Sequence, residues 1–256
     1  MTHAKAIAGV GRVILWSGMS LWIGRDAGQV QPHAHHAIQI SVALSGCVRL
    51  RAEGAGHWTE FLGAIVMPHQ RHEFDGNGQA VAQIFVEPET RQGRALLERF
   101  AESPLSAVEI DRVQPMLSAL RAAYIDNADD SVLAAASREL VAELSNSHQK
   151  AVGVDPRIER AIEFVRSRLS EAVTLADAAR VAHLSPSRFR HLFVAQTGIS
   201  FRAYLLWARV ASAIGTAMQG TSWTQAAQDC GFADSAHLSR TCRRMFGIAP
   251  SMLIRE

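Results

Sequence analysis

Residues 222–247 read SWTQAAQDCGFADSAHLSRTCRRMFG, and residues 174–198 read TLADAARVAHLSPSRFRHLFVAQTG. The two stretches are copies of one pattern. Ala178–Ala179 align with Ala226–Ala227 at an offset of 48, while Phe189 aligns with Leu238 and Gly198 with Gly247 at an offset of 49. One extra residue therefore sits in the turn of the second copy. Each copy predicts a short helix, a tight turn, an N-cap (Ser185 or Asp234) and a second helix stopped by glycine, which is the helix-turn-helix layout.

Between the copies, SFRAYLLWARVASAIGTAMQG (200–220) reads as one helix. Its length of roughly 19 residues spans about 28 Å at ~1.5 Å per residue. With the adjoining turns, such a spacer can set two second helices about one DNA turn apart, ~34 Å. The charge balance points the same way. From Asp155 to the end there are 13 Arg against 8 Asp and Glu, a net +5, and no Lys, so the remainder of a chain of net charge +2 carries −3. Arginine's planar fork of donors suits phosphates and guanine edges, although a GC-rich genome would also favour Arg over Lys. A bundle of six or seven helices that binds protein is the alternative. Two copies, a spacer of this length and a basic balance together favour DNA.

The stretch AAQDCGFADSAHLSRTCRRMFGIAPSMLIR (226–255) resembles the signature of AraC-type transcription regulators. There the second helix-turn-helix carries A-A-x-x-x-G-F-x-[DE]-x-x-[HYF]-[FL]-S-R and closes with F-G-x-x-P. The resemblance covers about the last 100 residues. Cys242 stands where an aromatic is usual and Leu238 where Phe is commoner; both remain apolar. The resemblance implies which residues meet DNA, and helical geometry agrees. With Phe189, Leu192 and Phe193 facing a core, Ser187, Arg190 and His191 lie outward; the equivalents are Ala236, Ser239 and Arg240, with Leu238 and Cys242 inward. Arg190 and Arg240 are candidates for bidentate contacts to guanine. Ser187 and Ser239 suit bases or phosphates, Ala236 a thymine methyl, and His191 a base or a phosphate. Arg188, Arg202, Arg243 and Arg244 read as positioning contacts or solvated charges.

The rest of the chain differs in kind. The chain as a whole, with 48% hydrophobic and 20% charged residues, can bury a core and is not disordered by composition. No apolar run approaches the roughly 18 residues of a membrane helix, and MTHAKAIAGVGR lacks the apolar stretch of a signal peptide. Cys47, Cys230 and Cys242 are too widely spaced for a disulfide framework or a CxxC zinc site. A cytoplasmic, reduced protein is expected. Residues 12–87 predict strands: IQISVAL (38–44) alternates as a half-buried strand does, VRLRAEG follows after a turn, and GAIVMP and AVAQIFVE are short apolar runs closed by proline. Turns at short intervals predict a small antiparallel barrel or sandwich. After Pro88, RQGRALLERFAES, VQPMLSALRAAYIDN and DDSVLAAASRELVAELSNSHQ predict amphipathic helices. Asp155 and Pro156 read as the N-cap and first turn of a further helix. The expected fold is thus α+β in two domains: a barrel over 1–90, a helical linker or dimerisation segment over 91–151, and a DNA-binding domain over 152–256. The stripe Leu133, Leu140, Val141 and Leu144 predicts either a homodimer face or a contact with the barrel.

PHAHHAIQIS (32–41) places three histidines in four positions. The barrel resembles the cupin-type sensor domain that precedes the DNA-binding half in many such regulators. Metal-binding cupins carry H-x-H, then Glu after three or four residues, then Gly, with another His from a second motif. Here His33-x-His35 is followed by Gln39 where Glu is expected and then Gly46, and GAIVMPHQRH supplies His72. Residues 33, 35 and 39 share strand parity, so all three can point inward with His72. Three imidazoles and an amide suit a divalent transition metal such as Zn, Ni, Cu or Fe, and the same groups suit an organic effector or a structural cluster. His36, on the other parity, is expected to be exposed, and His57 and His69 to lie in loops at the barrel mouth. A redox role for Cys47 would require an activated thiolate. The implied protein is a non-enzymatic, effector-sensing regulator. Its partners would be a double-stranded DNA operator, a small-molecule or metal effector, RNA polymerase and a second copy of the chain, with no membrane. A metal-dependent cupin enzyme fused to a DNA-binding tail is the competing class; Gln39 and the lack of a recognisable acid/base pair weigh against it.

Overall fold

A computed structural model describes residues 9–26, 28–146 and 153–255. Its strands are β1 (Gly9–Trp16), β2 (Met19–Asp26), β3 (Gln29–His33), β4 (Ile38–Ala43), β5 (Val48–Ala52), β6 (Thr59–Phe61), β7 (Gly63–Val66), β8 (His72–Asp75), β9 (Ala80–Val86), β10 (Leu105–Ala107) and β11 (Leu253–Arg255). The helices are α1 (Arg91–Arg99), α2 (Ile110–Ile125), α3 (Asp130–Leu144), α4 (Pro156–Arg166), α5 (Leu175–Val181), α6 (Pro186–Thr197), α7 (Phe201–Met218), α8 (Trp223–Asp229) and α9 (Ser235–Phe246). The fold is mixed α+β, a sheet-rich N-terminal part followed by a helical C-terminal part.

The strands do not close into the expected barrel. They form a seven-stranded sheet in the order β10-β7-β4-β9-β2-β1-β11 and a four-stranded sheet in the order β3-β8-β5-β6. All pairings are antiparallel except β1 with β11, which is parallel and brings the last residues of the chain onto the first strand. A barrel wall would need one covered face and one wet face. Here the central strands of the larger sheet are buried on both faces, so it is covered from both sides. On β4, Ile38, Ile40 and Val42 share an apolar core with Leu117, Leu120, Leu133 and Leu140 of α2 and α3, while Gln39 and Ser41 point the other way and are also buried. IQISVA is therefore buried at every position but Ala43, where its alternation predicted a half-buried strand. On β9 the same split sends Ile84 and Val86 to the helices and Val81 and Phe85 to the opposite core.

This placement also settles the use of the α3 stripe. Leu133, Leu140, Val141 and Leu144 are all buried within the chain, against the sheet and the neighbouring helices. They are not free to form the dimer face that the sequence suggested. Of the expected linker, residues 147–152, which include the proposed domain boundary near 152, lie outside the described residues. Beyond them α4 starts as anticipated, with Pro156 in its first turn and the Asp155 side chain accepting from the Arg157 backbone N–H.

The second core runs without a break from the sheets into the helical part. Val30, Phe74 and Phe85 of the strands belong to the same apolar cluster as Ile158, Phe193, Trp207 and Phe246 of the helices. Gly215 of α7 leaves room for Leu15 of β1; a Cβ there would come within 2.1 Å of the leucine side chain. The two parts are packed as one body, not strung on a linker.

Candidate functional site: two recognition helices and a buried histidine cluster

The repeat read from the sequence is present as two helix-turn-helix units. In the first, α5 is opened by a capping box between Thr174 and Asp177, and α6 by Ser185, whose hydroxyl accepts from the Arg188 N–H. In the second, α8 is capped by Ser222 and α9 by Asp234, whose carboxylate accepts from the His237 N–H at 2.6 Å. Both second helices end on a left-handed glycine, Gly198 (φ 78°) and Gly247 (φ 69°), a conformation that costs any residue with a Cβ about 1–2 kcal/mol. Phe189, Phe193, Leu238 and Cys242 anchor the two helices in the core, and Leu192 is half-buried. The 18 residues of α7 set the spacer, about 27 Å at the helical rise.

What remains on the outer surface is the set expected to meet DNA. Ser187, Arg188, Arg190, His191, Ala236 and Arg240 are exposed and Ser239 is half-buried. The side chains of Arg188, Arg190 and Arg240 form no ion pair or hydrogen bond among the described residues. By contrast Arg157, Arg166 and Arg180 are each committed to a carboxylate.

The histidine cluster lies between the sheets, against the helical part. His33 ends β3, His35 sits in the loop after it, Gln39 is on β4 and His72 opens β8; all four are buried. One ring nitrogen from each of His33, His35 and His72 lies within 4.8 Å of the others. Gln39 joins them: its Oε1 is 2.9 Å from His35 Nε2 and 3.3 Å from His72 Nε2, and its Nε2 donates to Ser41 Oγ at 2.9 Å. The other nitrogen of each ring is taken by a backbone carbonyl two residues away. His33 Nδ1 meets Gln31 O at 2.8 Å, His35 Nδ1 meets Ala37 O at 2.8 Å, and His72 Nδ1 meets Gln70 O at 2.9 Å. A carbonyl only accepts, so each Nδ1 carries a hydrogen. Burial, reinforced by neighbouring imidazoles, drives the His33 pKa well below its ordinary value and that of His35 down to about 3; burial lowers that of His72 as well. The rings are neutral, and their Nε2 lone pairs are unprotonated.

This donor set fits a divalent transition metal. Neutral imidazoles whose Nδ1–H is fixed by a carbonyl are the arrangement that orients metal-binding histidines. A cavity of about 80 Å3 adjoins the cluster, with His33 and Gln39 at its polar end and Val30, Phe74, Phe85, Phe246 and Ile248 among its apolar walls. Part of that wall belongs to the DNA-binding half. Phe246, the last residue of α9, stacks on His35 with centroids 6.1 Å apart and packs on Trp22 and Trp207. A Cβ on Gly247 would lie 2.9 Å from His33 Nδ1 and 2.3 Å from Gln31 O.

His36 is buried, where its strand parity predicted exposure. The chain has left the strand there, and parity no longer applies. Its Nε2 lies 2.8 Å from Glu89 Oε2. Burial pushes the His36 pKa down to about 4 and that of Glu89 up, so this is a hydrogen bond of a neutral imidazole and not a full ion pair. Alongside, Glu87 pairs with Arg166 of α4 and accepts from Trp207 Nε1 of α7 at 3.3 Å. Burial raises Glu87 to about 7 against the opposing pull of Arg166. Sequence reasoning missed this polar seam; the signal was VEPE (86–89), two carboxylates closing a mainly apolar strand. Arg94 of α1 adds a clamp on the first recognition helix, donating to Gln196 O at 3.0 Å and Gln196 Oε1 at 2.9 Å. His57 and His69 lie exposed in loops, apart from the cluster. Cys47 has a pKa raised by burial and by Glu60, which favours an unreactive thiol.

Comparison with known proteins agrees with this architecture. Residues 178–256 match the family model described as a helix-turn-helix domain. The probable transcriptional regulator LumQ of Photobacterium leiognathi is 26% identical over 232 residues, covering 86% of this chain and 90% of that protein. The uncharacterised HTH-type transcriptional regulator YidL of Escherichia coli K12 is 32% identical over 101 residues, 39% of this chain, which spans about a third (34%) of that protein's length. Among solved structures, ToxT from Vibrio cholerae O395 shares the fold over 92% of this chain and 96% of its own, with a TM-score of 0.59 and 16% identity. ToxT has also been solved with an unsaturated fatty acid bound. The fold and the repeat define a helix-turn-helix DNA-binding protein joined to a sheet-rich N-terminal domain. Residues 178–256 thus carry a helix-turn-helix DNA-binding domain, and the chain is similar over most of its length to a probable transcriptional regulator. Among the described residues no helix is long and apolar enough to cross a membrane.

Proposed function

We propose that this regulator reads double-stranded operator DNA with α6 and α9 and that its DNA-binding half answers to a small effector, molecule or metal ion, held at His33, His35, Gln39 and His72. The single observation that carries the reading is that the cavity at the cluster is walled by both halves of the chain, with Phe246 and Gly247 of the second recognition helix against His35 and His33. An occupant there has a different set of contacts whenever α9 shifts, and that difference in affinity is what lets a ligand move an equilibrium. ToxT, which shares the fold, holds a fatty acid in one of its structures, and this supports a ligand-receiving role for a protein of this fold. In this reading Arg190 and Arg240 contact bases, Ser187, Ala236 and Ser239 flank them, and Arg188 and His191 position the helix on phosphates. The protein works in the cytoplasm, with RNA polymerase as the partner through which binding alters transcription. No dimer face is proposed, because the α3 stripe is already buried.

The test uses the full chain, since a fragment starting at residue 155 would expose Trp207 and Phe246. The double variant His35→Ala with His72→Ala should occupy the same genomic sites as the wild type while transcription of the adjacent genes no longer responds to conditions. A double variant that still regulates normally would reduce the cluster to a structural feature.

A further inference from the structure

We propose that the protein has a second small-molecule site, apart from the histidine cluster, which takes a free α-amino acid in its zwitterionic form. The site is a cavity of about 450 Å3 enclosed by β1, the turn between α2 and α3, the end of α7 and β11. Its polar lining is Arg12, Asn127, Asp129, Asp130, Gln219 and Arg255, and its buried apolar lining is Val13 and Met218.

The group that calls for a ligand is Arg12. Its Nη1 is committed, donating to Ala128 O at 2.7 Å and meeting Asp130 Oδ1 at 3.3 Å. Both acceptors line the cavity, which places the guanidinium at its wall. The Nε and Nη2 atoms of the same group are shielded from solvent and have no acceptor among the described residues. Buried charged donors are costly to leave unpaired. Nε and Nη2 form one edge of the guanidinium plane, and that edge matches the two oxygens of a carboxylate. Arg157 shows the match within this chain: its Nε and Nη2 hold the two carboxylate oxygens of Asp155 at 3.0 and 2.7 Å. Arg12 also borders the smaller cavity at the histidine cluster, but only the larger one brings carboxylates beside it.

The remaining charges define what kind of molecule fits. Arg255 is exposed and forms no ion pair or hydrogen bond among the described residues; its Nη1 lies 3.1 Å from where a Cβ on Gly220 would stand, over the turn that follows α7. Asp129 occupies the N-cap position of α3, yet its side chain makes no cap hydrogen bond. Two guanidinium groups and two carboxylates thus face one cavity. A simple anion would be attracted by Arg12 and Arg255 and repelled by Asp129 and Asp130; a simple cation would meet the reverse. A molecule carrying both charges satisfies all four groups. The carboxylate of an α-amino acid accepts from the free edge of Arg12 and from Arg255, and its ammonium donates to Asp129 and Asp130. Its side chain then rests on Val13 and Met218.

The lining comes from both parts of the chain. Arg12 and the α2–α3 turn belong to the sheet-rich part, while Met218, Gln219 and Arg255 belong to the helical part. Ser222, the cap of α8, follows Gln219 closely. An occupant therefore ties the α2–α3 turn to the segment that enters the second helix-turn-helix.

The test is thermal shift and titration calorimetry of the full chain with the common α-amino acids one at a time. Acetate, methylammonium and inorganic phosphate serve as probes of a single sign. We expect an α-amino acid, or a set with similar side chains, to bind once per chain and raise the melting temperature. Acetate, methylammonium and phosphate should each bind more weakly by about tenfold or more. Arg12→Met and Asp129→Asn should each weaken the amino acid by about tenfold. Arg12 also holds the α2–α3 turn, so Arg255→Met, at an exposed position, keeps the test valid if Arg12→Met does not fold, and should weaken binding in the same direction. His72→Ala should leave amino-acid binding unchanged, so this site and the effector reading of the histidine cluster stand or fall separately. Three results would overturn the proposal: no α-amino acid binding more tightly than about 1 mM, phosphate binding as tightly as any of them, or binding that survives Arg255→Met and Asp129→Asn but is lost in His72→Ala.

Discussion

The recognition surface and the histidine cluster handle polar groups in opposite ways. On α6 and α9, Arg190 and Arg240 stand in solvent without a partner among the described residues, which leaves their donors free for the proposed contacts to DNA. In the cluster every ring is buried and held neutral, with its Nδ1 tied to the backbone. The difference teaches where each function gets its specificity. A DNA-reading surface needs only a rigid scaffold underneath and donors left free on top. A ligand site needs donors that are already oriented, so its order is set by the elements around it. The two meet at one place, Phe246 and Gly247, the end of α9.

That contact should break first and most severely. Phe246→Ala removes a buried aromatic from the seam between the two halves and should cost about 3–5 kcal/mol of stability, read by denaturant unfolding. Because one apolar cluster spans both halves, the variant should still unfold in a single transition. Two separate transitions would mean that the halves are independent.

The paired C-terminal glycines of the recognition helices sharpen the comparison. Gly198→Ala meets open space, the nearest atom being His69 Nε2 at 4.0 Å, so it should cost only the left-handed conformation, about 1–2 kcal/mol. Gly247→Ala pays the same conformation and drives a Cβ to 2.3 Å from Gln31 O. Its loss of stability should exceed that of Gly198→Ala clearly, and equal losses would show that α9 is not tightly seated on β3.

Arg190→Ala and Arg240→Ala should each weaken operator binding by about 1–3 kcal/mol and relax preference at different base positions. Selection from a randomised duplex pool reads both effects. Thermal stability should hardly move, since neither side chain has a partner to lose. Uniform weakening over all sequences would make that arginine a phosphate contact.

The smallest expected effect is on pH dependence. His36 has a folded pKa lowered to about 4 from an ordinary 6.5, mainly by burial. A depressed histidine contributes stability that is present above pH 6.5 and lost as pH falls from there toward 4. Glu87, raised to about 7 by burial, contributes with the opposite sign: stability present below the ordinary carboxylate range and lost as pH rises through 7. His36→Gln should therefore flatten the loss of melting temperature on the acid side, and Glu87→Gln the loss above neutrality. Unchanged slopes in both would mean that the seam is wetter than its geometry indicates.

The sequence disclosed these two regions unequally. The helix-turn-helix repeat was legible because its information is local: Ser185, Asp234, Gly198 and Gly247 specify caps within a few residues, and Phe189 and Leu238 mark the inward face by helical period. The convergence of His33, His35, Gln39 and His72 was inferred from strand parity and motif spacing, and the structure does bring these four together. The chain path is different from the one assumed, with His35 in a loop. Parity failed for His36 for the same reason. The closed barrel and the free α3 stripe were both misread because alternation along IQISVA shows that two faces exist but not that both are covered. His36, Glu87, Glu89, Arg166 and Trp207 are far apart in the chain, Trp207 and Glu87 by 120 residues, and only packing reveals that they share a seam.

The central claim is that the pocket and the second recognition helix are one mechanical unit, while the first is held elsewhere, by Arg94 on Gln196. Amide hydrogen exchange on the full chain, wild type against His33→Ala, tests it directly. The account predicts that protection falls in the last turn of α9, residues 243–247, and is retained across α6, residues 186–197. Equal loss in both helices, or no change in α9, would contradict it.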